Sequence, residues 1–168
     1  MGVRETRHIV GDYQLNENDI LEGKSFEDGV ACGTYAIDIH PGKGKMQIYT
    51  GSGKAVYEIP YRSLIPKGLS NLLVAGRCIS ANSYAAGSIR VMATCMAMGQ
   101  GAGVAAAMAA GNDAVTRNVD VAELRINLVN QGQYLLGGVI EAAVDPSLVL
   151  DRGESDGSKG SHFNPFKK

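Results

Sequence analysis

The sequence predicts a mixed α/β fold, with short strands and helices packed in one chain. Three observations carry the prediction. Residues 71–76 (NLLVAG) form a short apolar run that ends in glycine, the pattern of a buried strand. A polar stretch over 77–88 then leads into the longest apolar element, from Ser88 or Ile89 to Ala110. Upstream, residues 46–50 and 55–59 read as two strands joined by Gly51, Ser52 and Gly53, the residues of a hairpin turn.

Each element has a local reason. Residues 12–23 (DYQLNENDILEG) read as a short helix with Asn16 as its N-cap. Glu17 and Asp19 fall in its first turn, where acids suit the helix dipole, and Gly23 is its stop. Residues 30–39 (VACGTYAIDI) read as one strand, ended by Pro41 and Gly42. Pro60 and Pro66 bracket an irregular segment, and Gly111 with Asn112 closes the long helix. Residues 120–130 form a second helix, in which Asp120 and Glu123 make an Asp version of the capping box. Ala122, Ile126 and Val129 mark its apolar side. After Pro146 the apolar periodicity is lost, and 151–168 is expected to be a disordered tail. The organisation is therefore 1–66 with the hairpin, 67–111 with the strand and long helix, 112–145 as a helical extension, and 146–168 as tail.

Composition narrows the function classes. Sixteen Lys+Arg against seventeen Asp+Glu leave a formal charge of −1, without the basic excess of a nucleic-acid binder. With 22 glycines and no Trp, much of the packing must use backbone and small side chains. Cys32, Cys78 and Cys95 form no CxxC pair, and their odd number argues against a disulfide framework or a zinc site. The opening MGVRETRHIVGDYQL lacks the apolar run of a signal peptide, so a cytoplasmic protein is expected. Met1, Gly2 and Thr6 fit the outline of a myristoylation signal, but no polybasic second signal follows.

Several residues are candidates for chemistry. The start of the long helix, at residues 91–94, carries N–H groups with no intrahelical partner, which can meet a carbonyl or phosphate. Arg90 beside it opposes the helix dipole unless an anion sits there, the alternative being a side chain that snorkels to solvent. Asp38 and His40 share one face of a strand and can form a proton-transfer pair, or simply a solvated strand end. Tyr61 and Arg62 can hold a carboxylate, or lie in a surface turn. Arg4, Glu5 and Arg7 read as a solvated face. Cys78 and Cys95 are either redox thiols or small core residues.

Gly99 and Gly103, continued by Ala106 and Ala110, form a smooth helix ridge. Such a ridge suits a helix buried against a parallel sheet, or a membrane helix with a GxxxG face. Residues 91–110 carry no charge, but they hold Gln100 and no Leu, Ile or Phe, so membrane insertion would be weak and none is expected. No GxGxxG follows a strand, because Gly99 and Gly101 lie within the helix. Gly53 and Lys54 are no P-loop, since Ile48 and Ala55 stand where Gly and Ser or Thr belong.

The segment NLLVAGRCISA with GSIRVMATCMAMGQGAGVAAAMA resembles the C-terminal FAD-binding part of a bacterial family of FAD-dependent oxidoreductases, some of whose members carry the label xanthan lyase. RETRHIVGDYQL, YAIDIH and YEIPYRSLIPKG match in the same order, so the resemblance runs from Arg4 to Gln131. It implies the C-terminal part of an FAD/NAD(P)-binding Rossmann-type fold, with part of an antiparallel substrate-side subdomain over 1–66. The Rossmann strand–GxGxxG–helix that holds the ADP half in this family is missing from the sequence, which looks like a C-terminal fragment. The resemblance implies cofactor contacts from Gly76, Arg77, Cys78 and Ser80, and from Arg90, Val91, Met92, Ala93 and Thr94 at the helix start facing the flavin pyrimidine ring. It makes Asp38, His40 and Arg62, with Tyr61, candidates for substrate binding or proton transfer. It also implies a small-molecule substrate and a separate N-terminal FAD-binding half as partner. One departure stands out: Asn82, Ser83 and Tyr84 occupy the place of a Thr-His-Glu-like run. The alternatives are a non-catalytic fragment awaiting that half, and a membrane-associated protein built on the GxxxG helix.

Overall fold

A computed structural model describes residues 4–39, 47–49 and 56–137. His40 and the predicted tail lie outside these residues. The fold is mixed α/β, as predicted, but its strands pair differently. Strand β1 (Gly29–Gly33) is antiparallel to β4 (Tyr57–Pro60), and β2 (Ile37–Ile39) is antiparallel to β3 (Gln47–Tyr49). The expected hairpin between 46–50 and 55–59 is therefore replaced by two separate pairs. Burial decides this. Tyr57, Glu58 and Ile59 are all buried, so β4 belongs to the interior, whereas Ile48 of β3 is 56% exposed. The predicted turn residues Gly51 to Gly53 lie outside the described residues.

The expected strand over 30–39 is split between the two sheets. Pairing ends at Gly33, where a β-carbon would stand 2.3 Å from the Tyr57 ring. Beyond it the Tyr35 carbonyl accepts a hydrogen bond from Ser88 Oγ, which draws the chain away from β4. The Tyr57 hydroxyl also bonds Ser88, at 2.6 Å.

Four helices complete the described fold. Helix α1 (Glu17–Leu21) starts at the predicted cap, with Asn16 and Asp19 forming a capping box. Asp19 also accepts from the Tyr13 hydroxyl and from Lys24 Nζ at 2.8 Å. The long helix of the prediction is two helices, α2 (Ser83–Ile89) and α3 (Met92–Ala110), which meet at a 95° bend. Asn82 caps α2 by accepting the Ala85 N–H at 2.9 Å. Residues 85–89 are buried, and a β-carbon on Gly87 would lie 3.0 Å from the Asp38 carbonyl. This close seat on β2 fixes one direction for α2, and α3 must leave it to pack on β1. No single helix among the described residues is long and apolar enough to cross a membrane.

Helix α3 meets β1 through Gly101, whose β-carbon would stand 3.1 Å from the Val30 carbonyl. Thr94, Met98, Ala105 and Ala109 continue this buried face. The predicted Gly99/Gly103 ridge instead points away, with nothing within 4 Å of either β-carbon position. Helix α4 (Val121–Asn130) is capped by Asp120, which accepts from the Ala122 and Glu123 N–H groups. Its buried residues are Leu124, Arg125 and Leu128; of the predicted face, Val129 packs half-buried against the core, Ile126 is half-buried and Ala122 is exposed. The predicted strand over 71–76 is not in a sheet among the described residues. The Val74 N–H bonds the Leu64 carbonyl at 2.9 Å, and Leu72 remains 45% exposed. An apolar run alone does not supply the neighbouring strands that a buried parallel strand needs.

The core predicts how stability responds to alkali. Burial raises Tyr57 and Tyr61 from 10.0 to about 12. Burial, with Glu58 adding its negative charge, raises Cys32 from 9.0 to about 12. Each native group thus holds its proton more tightly than the unfolded chain does. Their contribution is fully present below pH 9 and is lost as pH rises through the raised values near 12. Urea midpoints measured from pH 8 to pH 11 should fall steadily above pH 9. A midpoint unchanged over that range contradicts this burial.

Candidate functional site

The bend between α2 and α3 gathers most of the predicted cofactor residues. Arg90 closes α2 and Val91 is the N-cap of α3. No side chain caps α3, so the N–H groups of Met92, Ala93 and Thr94 have no intrahelical carbonyl to meet. Met92 and Ala93 are exposed and Thr94 is buried. The loop carrying Gly76, Arg77 and Cys78 lies against this end of α3. A β-carbon on Gly76 would stand 3.9 Å from Cys95 Sγ, in the helix's second turn. Gly76 has φ +86°, a conformation costly for any other residue, and the turn it makes leaves Arg77 and Cys78 exposed.

Arg90 is not a lone cation at a helix start. Its Nη2 donates to the Asp38 carbonyl at 2.8 Å and to Asp38 Oδ2 at 3.2 Å. Both side chains are largely buried, at 14% and 13% exposure. The structure thus joins a predicted catalytic residue to a predicted cofactor residue in one ion pair. Ser80 faces elsewhere: it is buried, and its β-carbon is 2.6 Å from the position a Gly11 β-carbon would take.

Arg62 lies in a different cleft, of about 380 Å³, with Asp12, Asp28, Tyr61 and Arg117. It does hold a carboxylate, but an internal one. Its Nε and Nη2 reach the two Asp28 oxygens at 2.8 and 3.0 Å, and its backbone N–H bonds Asp28 as well. The Asp28 hydrogen bond is the main reason its pKa is raised. Arg117 forms a matching clamp on Asp12 at 2.8 and 3.1 Å.

Two groups escaped the sequence reading. Glu5, expected on a solvated face, accepts from Ser83 Oγ at 2.7 Å and lies 3.2 Å from His8 Nε2. Asn82 Nδ2 donates to Glu17, which lowers the Glu17 pKa. The departing residues Asn82 and Ser83 are therefore tied to the N-terminal segment. Tyr84 stacks edge-on against Tyr49, with ring centroids 6.0 Å apart. Contacts spanning 65 or 78 residues leave no local signal in the sequence.

The family model described as FAD dependent oxidoreductase matches residues 1–128. The chain belongs to this family. No curated protein and no solved structure gives a match. The family is FAD-dependent, and the corner suits that cofactor. An uncapped helix start and a positive-φ glycine turn offer backbone donors and close backbone approach, which fit the polar edge of a flavin ring. Among the described residues no cluster of His, Cys, Asp or Glu could hold a metal ion.

Proposed function

We propose that this chain supplies the flavin-facing part of an oxidoreductase that moves a hydride between a small-molecule substrate and FAD. The observation that carries this reading is the uncapped N-terminus of α3 lying beside the Gly76–Cys78 loop. Bound FAD would supply the redox chemistry itself. The N–H groups of Met92, Ala93 and Thr94 would hold its pyrimidine edge and stabilise negative charge there. Gly76 and Arg77 would lie along the chain that leads to the phosphates. Asp38 acts here through Arg90, fixing the backbone of β2 to the corner from which α3 departs. Arg62 secures the loop after β4 through Asp28, at a separate face of the molecule.

A nucleotide-binding half completes the site in this reading. The 168 residues contain no strand followed by GxGxxG. The outward stripe of α3 is apolar, with Met92 82% and Met96 74% exposed, and Gly99 and Gly103 open beside them. Residues 71–76 pair with no strand among the described residues. Both features suit a sheet layer brought by the other half.

Absorbance near 450 nm after incubation with FAD and desalting tests the proposal. The isolated chain should retain well under one flavin per chain. Co-expression with a half that carries GxGxxG should bring retention towards one. Stoichiometric retention by the chain alone overturns the need for a partner. No retention by a stable assembled complex overturns the flavin-facing assignment.

A further inference from the structure

We propose that Cys78 and Cys95 form a reversible dithiol–disulfide couple at the corner between the Gly76 loop and α3. The proposal rests on the function above only for where the electrons go. Both sulfurs lie beside the backbone of Ala75 and Gly76. Cys78 Sγ is 3.7 Å from the Ala75 carbonyl, and Cys95 Sγ is 3.9 Å from the β-carbon position of the next residue, Gly76. Apart from the chain neighbours Ala75 and Arg77, no other residue lies within 4 Å of that position, and Cys95 Sγ itself donates to the Ile89 carbonyl at 3.6 Å. Both thiols are free.

The environment separates this pair from the third cysteine. Cys78 is exposed, which a small core residue is not, and a solution oxidant meets it first. Cys95 is half-buried. Burial raises its thiol pKa, the Arg77 charge opposes that rise, and Cys78 adds to it. Arg77 and Cys78 are thus close enough to act on Cys95 electrostatically. Cys32 lies on β1, beside Glu58 and Arg125, and its thiol is pushed up to about 12.

A disulfide needs its two Cα atoms about 4.4–6.8 Å apart. The loop must swing towards α3 to form one, and Gly76 supplies the hinge. Closure joins the two sulfurs and releases two protons and two electrons. In the assembled enzyme FAD held at this corner would supply a two-electron, two-proton acceptor. In a glutathione buffer, oxidised glutathione takes them by exchange and gives two reduced glutathione molecules.

The test uses the full chain, equilibrated in buffers from reduced to oxidised glutathione, trapped with N-ethylmaleimide and mapped by peptide mass spectrometry. Free thiols should fall from three to one as the buffer becomes oxidising, with Cys78 joined to Cys95 and Cys32 reduced. Cys78→Ser should abolish the link and should fold, because the side chain is exposed. Cys32→Ser should leave the link in place. Three thiols surviving at every ratio overturn the proposal, as do glutathione held on Cys78 alone or links between chains. Flavin retention at 450 nm is read separately, on the chain co-expressed with a half that carries GxGxxG. Absence of flavin from the stable complex with the GxGxxG-bearing half, with the Cys78–Cys95 link found in the chain, counts against the function reading and leaves the couple standing.

Discussion

Arg125→Ala should remove about 3–5 kcal/mol of stability, the usual cost of stripping one partner from a buried ion pair. Domains of this kind have only about 5–15 kcal/mol in total, so the variant should be largely unfolded or insoluble. Arg125 is 6% exposed and Glu58 is fully buried. The guanidinium lies 3.4 Å from Glu58 Oε1 and donates to four backbone carbonyls. Those of Gly29 and Phe26 are 2.6 and 3.3 Å away, and those of Leu136 and Gly137 are 2.7 and 2.6 Å away. Glu58 also accepts from Ser25 Oγ at 2.9 Å and from the Phe26 N–H at 2.8 Å. One side chain thus ties α4 to β1, β4 and the segment after α4. Its loss leaves a buried carboxylate without its cation and four carbonyls without this donor. Glu58→Gln should cost less, because the amide oxygen still accepts from Ser25 and Phe26. Urea denaturation of Arg125→Ala, Glu58→Gln and the double variant measures the coupling. A loss below about 1 kcal/mol for Arg125→Ala contradicts this account.

What the sequence revealed and what it hid divide by range of interaction. The caps at Asn16 and Asp120 were legible because a cap is a contact between residues two or three apart. The start of α3 at Val91 fell among the predicted residues, since the apolar run beyond it is uninterrupted. The break at Arg90 and Val91 carries no Pro or Gly, so nothing local announces it. It arises because α2 is seated on β2 while α3 is seated on β1. The strands of the expected hairpin pair elsewhere for a related reason, the buried β4 joining β1 in the interior while β3 joins β2. Arg125 was invisible as a core residue. A charged side chain on a helix is ordinarily read as solvated, and its partner Glu58 lies 67 residues away. The contacts among the candidate residues had no local signal. Asp38 and Arg90 were each singled out, for different roles, and their pairing across 52 residues emerged only in the fold.

That pairing yields a prediction that separates two roles for Arg90. If Arg90 acts through position, Arg90→Ala should loosen the α2–α3 bend and weaken flavin binding in the assembled enzyme by about tenfold or more. Such a loss corresponds to about 1.4 kcal/mol. That is within reach of one hydrogen bond to a charged group, worth about 1.5–3 kcal/mol. Asp38→Ala removes the carboxylate that holds the guanidinium but leaves the backbone carbonyl, which accepts at the shorter distance of 2.8 Å. It should therefore weaken flavin in the same direction and by a smaller factor. The thermal midpoint should fall alongside affinity in both variants, because the same contact holds β2 against the bend. A direct contact between Arg90 and flavin gives another pattern. Asp38→Ala would then free the guanidinium for the cofactor, so flavin affinity would hold or rise while the midpoint fell. Flavin titrations and melting curves on the two variants therefore distinguish positioning from contact. With both polar ends of the pair largely buried and the guanidinium donating into β2, positioning is the expected outcome.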